Sequence, residues 1–463
     1  MFLRKYIGDK TFYKKMLVIT LPILVQNVIT NFVSLIDNIM VGQIGTEQMS
    51  GVAIVNQLMF VFNLCIFGGV SGAGIFTAQY HGKGDRKGVR DTFRAKLIIV
   101  AVISLVCILA FALFDSELIS LFLHKGEDNL DLAATLGYGK SYLMIMLLQI
   151  PLFALSQAYS GTLRETGSTV LPMTAGVVAV FVNVSLNWVL IFGNLGAPKL
   201  GIEGAAVATV IARFTETFIV MFATHINTKK YLFAKGLYRS LRIPKVLIKD
   251  IVKKGFPLML NEILWALGTT MLVQCYSLRG LEVISAQNIS STVSNLFFCS
   301  FFAFGSAISI IVGQLLGAGE LERAKDEDRK IIFTTVVVCV VVGGVMAALS
   351  PLIPDIYNTT DTVKSIATSM LLISSAMIPV HGFVHTCYFT LRCGGKTMVT
   401  FLFDSVYVWT VCVPVAFILA RFTVLPIIPL FAIVQSVDII KCVVGYVLVK
   451  KGVWVNNLVE NNE

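Results

Sequence analysis

Apolar residues in this chain run in long blocks, and the polar ones are bunched between them. Twelve stretches, near 16–40, 52–78, 97–114, 133–159, 168–192, 202–224, 247–274, 284–314, 331–352, 364–391, 397–420 and 427–449, are apolar and long. Each can cross about 30 Å of hydrocarbon at about 1.5 Å per residue, so each predicts a transmembrane helix. A membrane β-barrel would need segments of about ten residues alternating apolar and polar, and nothing here alternates that way. The expectation is an all-α membrane protein.

Composition agrees: 56% of residues are hydrophobic and 14% charged, against roughly 25% charged in ordinary soluble domains. The net charge of +10 invites a nucleic-acid reading, but the positions of the bases argue against one. Of the 37 Lys and Arg, 29 fall in the even-numbered connections, the two termini or, as Lys249, Lys253 and Lys254, the basic start of the seventh span. The odd-numbered connections and the first residue of the tenth span hold five, Lys125, Lys199, Arg279, Lys364 and Arg421, and Lys140, Arg213 and Lys441 lie deeper inside spans. The third connection is acidic, with Asp115, Glu117, Glu127, Asp128 and Asp131. This is the positive-inside pattern, and it puts both termini in the cytoplasm of a multi-pass inner-membrane protein. All nine cysteines lie in or beside apolar spans without C-x-x-C or Cys/His spacing, which suits packing better than a metal. The basic N-terminus lacks a short apolar region with a small-residue cleavage site, so the first span is expected to stay as an anchor.

The chain is also duplicated. Pro22, Gly45, Glu47, Gln79, Gly82 and Gly84 recur 235 positions later as Pro257, Gly280, Glu282, Gln314, Gly317 and Gly319. Thr162-Leu163-Arg164-x-x-Gly167-x-Thr169 recurs as Thr390-Leu391-Arg392-x-x-Gly395-x-Thr397, shifted by 228. Six spans per copy is an even number, so the copies share one orientation and are related by an axis along the membrane normal. The expected organisation is a six-helix lobe over 1–224, a basic cytoplasmic linker over 225–246 and a second lobe over 247–463. The Gln-x-x-Gly-x-Gly repeats read as glycines closing a helix through positive φ; a phosphate cradle would open a helix after a strand instead.

Several segments resemble one family. Pro22, followed by Ile36-Asp37-Asn38-Ile39-Met40-Val41-Gly42-x-x-Gly45, is similar to the first helix of the multidrug and toxic compound extrusion (MATE) family. The Gln-x-x-Gly-x-Gly turns, Asn183-x-x-x-Asn187-x-x-Leu190-Ile191-x-Gly193 and Gly201-Ile202-x-Gly204-Ala205-Ala206-x-Ala208-Thr209 extend the likeness over essentially the whole chain. The resemblance implies a V-shaped pair of six-helix lobes that exports organic cations against inward proton or sodium flow. It further implies that the first-helix Asp and the polar pair of the fifth helix form the cation site of the N-terminal lobe. Bending of the first helix at its proline accompanies ion binding in some members.

The residues point the same way. An ionisable group in hydrocarbon is costly unless paired or wet. Asp37 lies about 22 residues past Lys15, near a helix C-terminus whose dipole opposes a carboxylate, with no base within a turn. Asn183 and Asn187 share a helix face, and Thr209 reaches a similar depth on the next span. One carboxylate, two amides and a hydroxyl offer hard oxygens to Na⁺ as Asp37, Asn183 and Asn187 ligands, with Thr209 beside them. Some members of the resembled family have an Asp where Asn187 stands, so a two-acid proton relay is less expected here.

In the second copy Leu272 replaces the Asp37 counterpart. Glu262 and Asp404 lie about eight residues from a basic boundary, or near 12 Å, with His381 and His385 at a comparable level. These four are candidates for a substrate or second cation site, and the histidines for proton shuttling. Asp438 with Lys441, and Arg213 with Glu216, are spaced as self-neutralising pairs. Pro22 and Pro257 are expected to kink their helices.

The combined expectation is a secondary antiporter for small-molecule cations, acting as a monomer in the bilayer, with no cofactor beyond H⁺ or Na⁺. One charge crossing about 150 mV supplies roughly 3.5 kcal/mol, enough for a gradient of about 300-fold. No Gly-x-x-x-x-Gly-Lys-[Ser/Thr] loop or H-E-x-x-H motif is present, which argues against an ATPase or an embedded enzyme. The competing function is a lipid-linked oligosaccharide or lipid flippase of the same wider superfamily. That would call for cationic residues in the cavity to meet pyrophosphate.

Overall fold

The computed structural model describes residues 5–122, 131–240, 242–357 and 359–460. Lys125, Glu127 and Asp128 lie outside the described residues. The described residues contain helices, turns and no strand. In chain order the helices are α1 (Lys10–Gly42), α2 (Thr46–Lys83), α3 (Arg86–Leu113), α4 (Asp115–Ser120), α5 (Leu132–Met146), α6 (Gln149–Glu165), α7 (Val170–Phe192) and α8 (Gly201–Ile226). After the linker come α9 (Lys245–Ser277), α10 (Leu281–Gly317), α11 (Leu321–Leu349), α12 (Asp361–Cys393), α13 (Thr397–Phe401), α14 (Val413–Phe422), α15 (Ile427–Ser436) and α16 (Asp438–Lys450). Among the described residues, eleven spans are long and apolar enough to cross a membrane, α13 with α14 and α15 with α16 each counting as one. The α5–α6 pair, bent by 46°, makes the twelfth.

That bend departs from the single span expected over 133–159, and Pro151 explains it. Its ring has no N–H and clashes with the carbonyl four residues back, that of Leu147. The chain breaks at Leu147–Leu148, where Leu148 N–H turns to Ile145 O at 3.1 Å.

The chain forms two compact units. One comprises residues 1–24, 78–85 and 252–463; the other comprises 25–77 and 86–251. Pro22 and Pro257 both lie inside continuous helices, α1 and α9, and α1 passes from one unit to the other two residues after Pro22. In the first unit Phe12, Met16, Ile19 and Ile23 form one face of α1, buried in a core with Ala303, Ala307, Ile308 and Ile311 of α10.

The repeated Gln-x-x-Gly-x-Gly turns divide their two glycines by function, which the sequence reading did not separate. Gly84 and Gly319 carry the positive φ, +80° and +78°, that ends each helix. Gly82 and Gly317 instead let two backbones touch. A Cβ on Gly82 would overlap the Gln314 carbonyl, and one on Gly317 would overlap that of Gln79. Gln79 also holds the C-terminal tail: its Nε2 donates to Cys393 O (3.2 Å) and Asn456 O (3.3 Å), and its Oε1 accepts from Leu458 N (2.8 Å).

In the second unit, Gly204 allows α8 to lie against α7, since a Cβ there would come 2.7 Å from Leu190 O. This close approach fixes the level of the polar residues on both helices. The basic linker is docked on α3: Arg90 Nη1 donates to Lys235 O (2.9 Å), and Arg94 donates to Leu237 O (2.9 Å) and Gly236 O (3.0 Å).

Candidate functional site

Four polar side chains meet at the C-terminal end of α1. Asp37 comes from α1, Asn183 and Asn187 from successive turns of α7, and Thr209 from α8. The two amides are buried, with Asn187 only 2% exposed. Asn187 Nδ2 donates to Asp37 Oδ1 at 2.8 Å. Asn183 turns its amide nitrogen to Asp37 as well and donates to the two carboxylate oxygens at 3.0 and 2.9 Å.

Asn187 Oδ1 is buried and without a hydrogen-bond partner, and a buried polar atom left unpaired is costly. The oxygens of Asp37 and of the two amides are hard, suited to Na⁺ and poorly suited to Zn²⁺. Arg213, on α8, is committed to Glu216 at 2.8 Å.

The polar cluster of the first unit is differently built. Lys441 Nζ donates to Asp404 Oδ1 at 2.6 Å, and Asn261 Nδ2 donates to Asp404 Oδ2 at 3.1 Å. Glu262 Oε1 accepts from the Tyr388 hydroxyl at 3.1 Å. His381 Nδ1 lies 3.4 Å from Asp438 Oδ2. The expected Asp438–Lys441 pair is thus corrected: each partner bonds elsewhere. Both stand on α16 in i, i+3 register, but Asp404 on a facing segment offers Lys441 a carboxylate and His381 on α12 meets Asp438. His385 is set among rings, 4.4 Å from Phe302 and 5.0 Å from Phe389 by centroids, and its Nε2 is buried without a partner.

Two features escaped the sequence reading. Asp404 sits on a π-helical turn, Leu402–Val406, followed by another at Val408–Cys412. Such turns cluster at functional sites. Here Asn261 stabilises the irregular backbone: its Oδ1 accepts from Ser405 N (3.2 Å) and Ser405 Oγ (2.7 Å). No propensity signal marks a π turn in advance. The other is Lys96, fully buried on α3 and paired with Glu165, with Thr162 Oγ1 at 3.2 Å. Its position just before an apolar run made it look like a boundary residue.

A family model described as MatE matches residues 22–189 and again residues 257–420. The chain belongs to the MatE family. Both matches begin at the repeat's proline, so the duplication is that of the family domain itself. Probable multidrug resistance protein NorM of Thermotoga maritima is 25% identical over 409 residues, covering 88% of this chain and 86% of the relative. Probable multidrug resistance protein YoeA of Bacillus subtilis is 26% identical over 420 residues, 90% of this chain and 88% of the relative. Among solved structures, a MATE in complex with MaL6 superposes with a TM-score of 0.86 at 16% identity, covering 97% and 98% of the two chains. The Vibrio cholerae MATE transporter VcmN gives 0.85 at 19% identity, with the same coverage. The fold is that of the solved MATE structures, with about twelve spans. This MATE protein is a bilayer-embedded secondary transporter of a family that uses ion gradients, and it is not an enzyme.

Proposed function

We propose that this transporter exports lipophilic organic cations from the cytoplasm in exchange for an inward-moving coupling ion, and that the ion binds at Asp37, Asn183 and Asn187. The observation that supports this reading is the meeting of Asp37 with two buried amides and, among the described residues, no paired base, beside the orphaned oxygen of buried Asn187. Sodium suits that set: one carboxylate matches one monovalent charge, and neutral amide oxygens complete the shell. When the ion is absent, the Asn183 and Asn187 amides donate to the carboxylate in its place.

Orientation follows from the charge asymmetry: both termini and the 225–246 linker face the cytoplasm, and the chain resides in the inner membrane. The C-terminal end of α1 is then near the outer surface, where the driving ion enters. The curated relatives carry multidrug resistance names, which supports organic cations over lipid-linked sugars as cargo. Pro22 weakens α1 close to where that helix changes unit, so bending there is the proposed link between ion binding and rearrangement.

The test is ethidium efflux from proteoliposomes under separately imposed Na⁺ and pH gradients, with Asp37→Asn alongside. An inward Na⁺ gradient should drive efflux in the native protein and fail in the variant. Efflux of equal size in both proteins would remove Asp37 from the coupling site. Translocation of lipid II without ethidium efflux would favour a flippase.

A further inference from the structure

We infer that a cavity at the basic end of α11 and α16 binds one anionic phospholipid. The cavity has a volume of about 540 Å³ and is lined by Lys5, Lys325, Arg329, Lys450 and Lys451. Lys325 is paired with Glu322 at 2.6 Å. Among the described residues, no ion pair engages Lys5, Arg329, Lys450 or Lys451. The acid in the lining is Asp328, which is 1% exposed and accepts a hydrogen bond from Thr390 Oγ1 at 2.6 Å. The exposed charge of the cavity is therefore positive.

The rest of the lining is not what a soluble anion selects. Phe333, Val336, Phe383, Tyr446 and Trp454 supply rings and an aliphatic wall. Trp454 is buried and anchored by its Nε1 to Val449 O at 3.1 Å, and Lys450 rests over the Tyr446 ring. From this cavity the same two helices continue as exposed apolar surface, Val337, Val340 and Val341 on α11 and Val443 and Val447 on α16. An amphiphile would place its phosphate among the bases and its acyl chains along these valines. Basic pockets between spans on the cytoplasmic side recognise anionic headgroups in this way, and the volume is in the range of small-molecule sites. The phospholipid would hold the N-terminal segment at Lys5 and Tyr6 against the last helix, joining the two ends of the chain.

Native mass spectrometry of the purified full-length transporter tests this, titrating phosphatidylglycerol against phosphatidylcholine. One phosphatidylglycerol should be retained in preference. Arg329→Gln/Lys450→Gln/Lys451→Gln should weaken its retention on the order of 100-fold, at about fivefold per basic residue. Lys229→Gln/Lys230→Gln/Lys235→Gln, in the linker, should leave it unchanged. If the first triple variant does not survive purification, Lys451→Gln alone should show a fall of about fivefold. Equal retention of phosphatidylcholine would overturn the proposal, as would a native response in the cavity variants. So would inorganic phosphate raising the melting temperature as far as phosphatidylglycerol does, because the acyl chains would then be dispensable.

Discussion

The two copies of the repeat have kept their scaffold and parted in their chemistry. In the first, Asp37 is met by Asn187 at 2.8 Å and by the Asn183 amide, and no base among the described residues forms an ion pair with it. In the second, the offsets of 235 and 228 put Leu272 opposite Asp37 and Val415 opposite Asn187, and these two pack in one apolar cluster. The polar site of one copy is thus a dry contact in the other. The acids of the second copy stand elsewhere, and Asp404 already has Lys441 at 2.6 Å. A carboxylate satisfied by a resident lysine has little to offer a passing cation; one met only by neutral amides keeps its charge for one.

The sharpest way to break this contrast is to neutralise each acid in turn. Asp37→Asn should abolish gradient-driven efflux, reducing it to the leak of empty vesicles, while the protein still elutes as a folded species. Asp404→Asn should leave some coupled efflux. If the two variants lost efflux equally, the copies would not differ as argued. Next in size is Lys441→Gln. It strands Asp404 in a largely buried setting, and breaking such a pair costs about 3 kcal/mol, measurable as a lowered thermal midpoint. Asp404→Asn/Lys441→Gln should regain most of that loss. A double variant no more stable than the single one would mean that Lys441 acts through packing alone.

How far the sequence could be read depended on whether a feature was periodic or local. Span number, duplication and charge asymmetry repeat over many residues, and each survives small errors of position. Asp37, Asn183, Asn187 and Thr209 could be grouped because helical spacing and depth are simple functions of residue count. Partner choice could not be read that way. Lys441 was assigned to Asp438 by spacing, but Asp404 approaches from a π turn that no local pattern announces. His381 and Asp438 meet across helices for the same reason. The 46° bend at Leu147–Leu148 was foreseeable from Pro151, yet the apolar run through it hid the break.

The turns that both copies share test the common scaffold. Gly82→Ala should cost about 1–3 kcal/mol, because the new Cβ meets the Gln314 backbone and cannot be relieved by a rotamer change. Gly84→Ala has open space around it but a φ of +80°, so its cost should be about 1 kcal/mol. Thermal unfolding of the two variants separates steric closeness from backbone strain. Gly317→Ala should match Gly82→Ala, because the crossing is reciprocal.

The smallest effect should come from Thr209→Val, and it bears most directly on how the ion is held. Thr209 Oγ1 donates to Ala205 O at 3.0 Å and lies 3.4 Å from the Asn183 amide. The second contact is long, so it is worth at most about 0.5 kcal/mol, or two- to threefold. It helps to fix the Asn183 side chain beside Asp37. Valine keeps the shape of the side chain and removes that hold. The half-saturating Na⁺ concentration for efflux should therefore rise two- to threefold, with the maximal rate and the thermal midpoint unchanged. A fall in the maximal rate at unchanged Na⁺ dependence would instead make Thr209 part of the moving machinery.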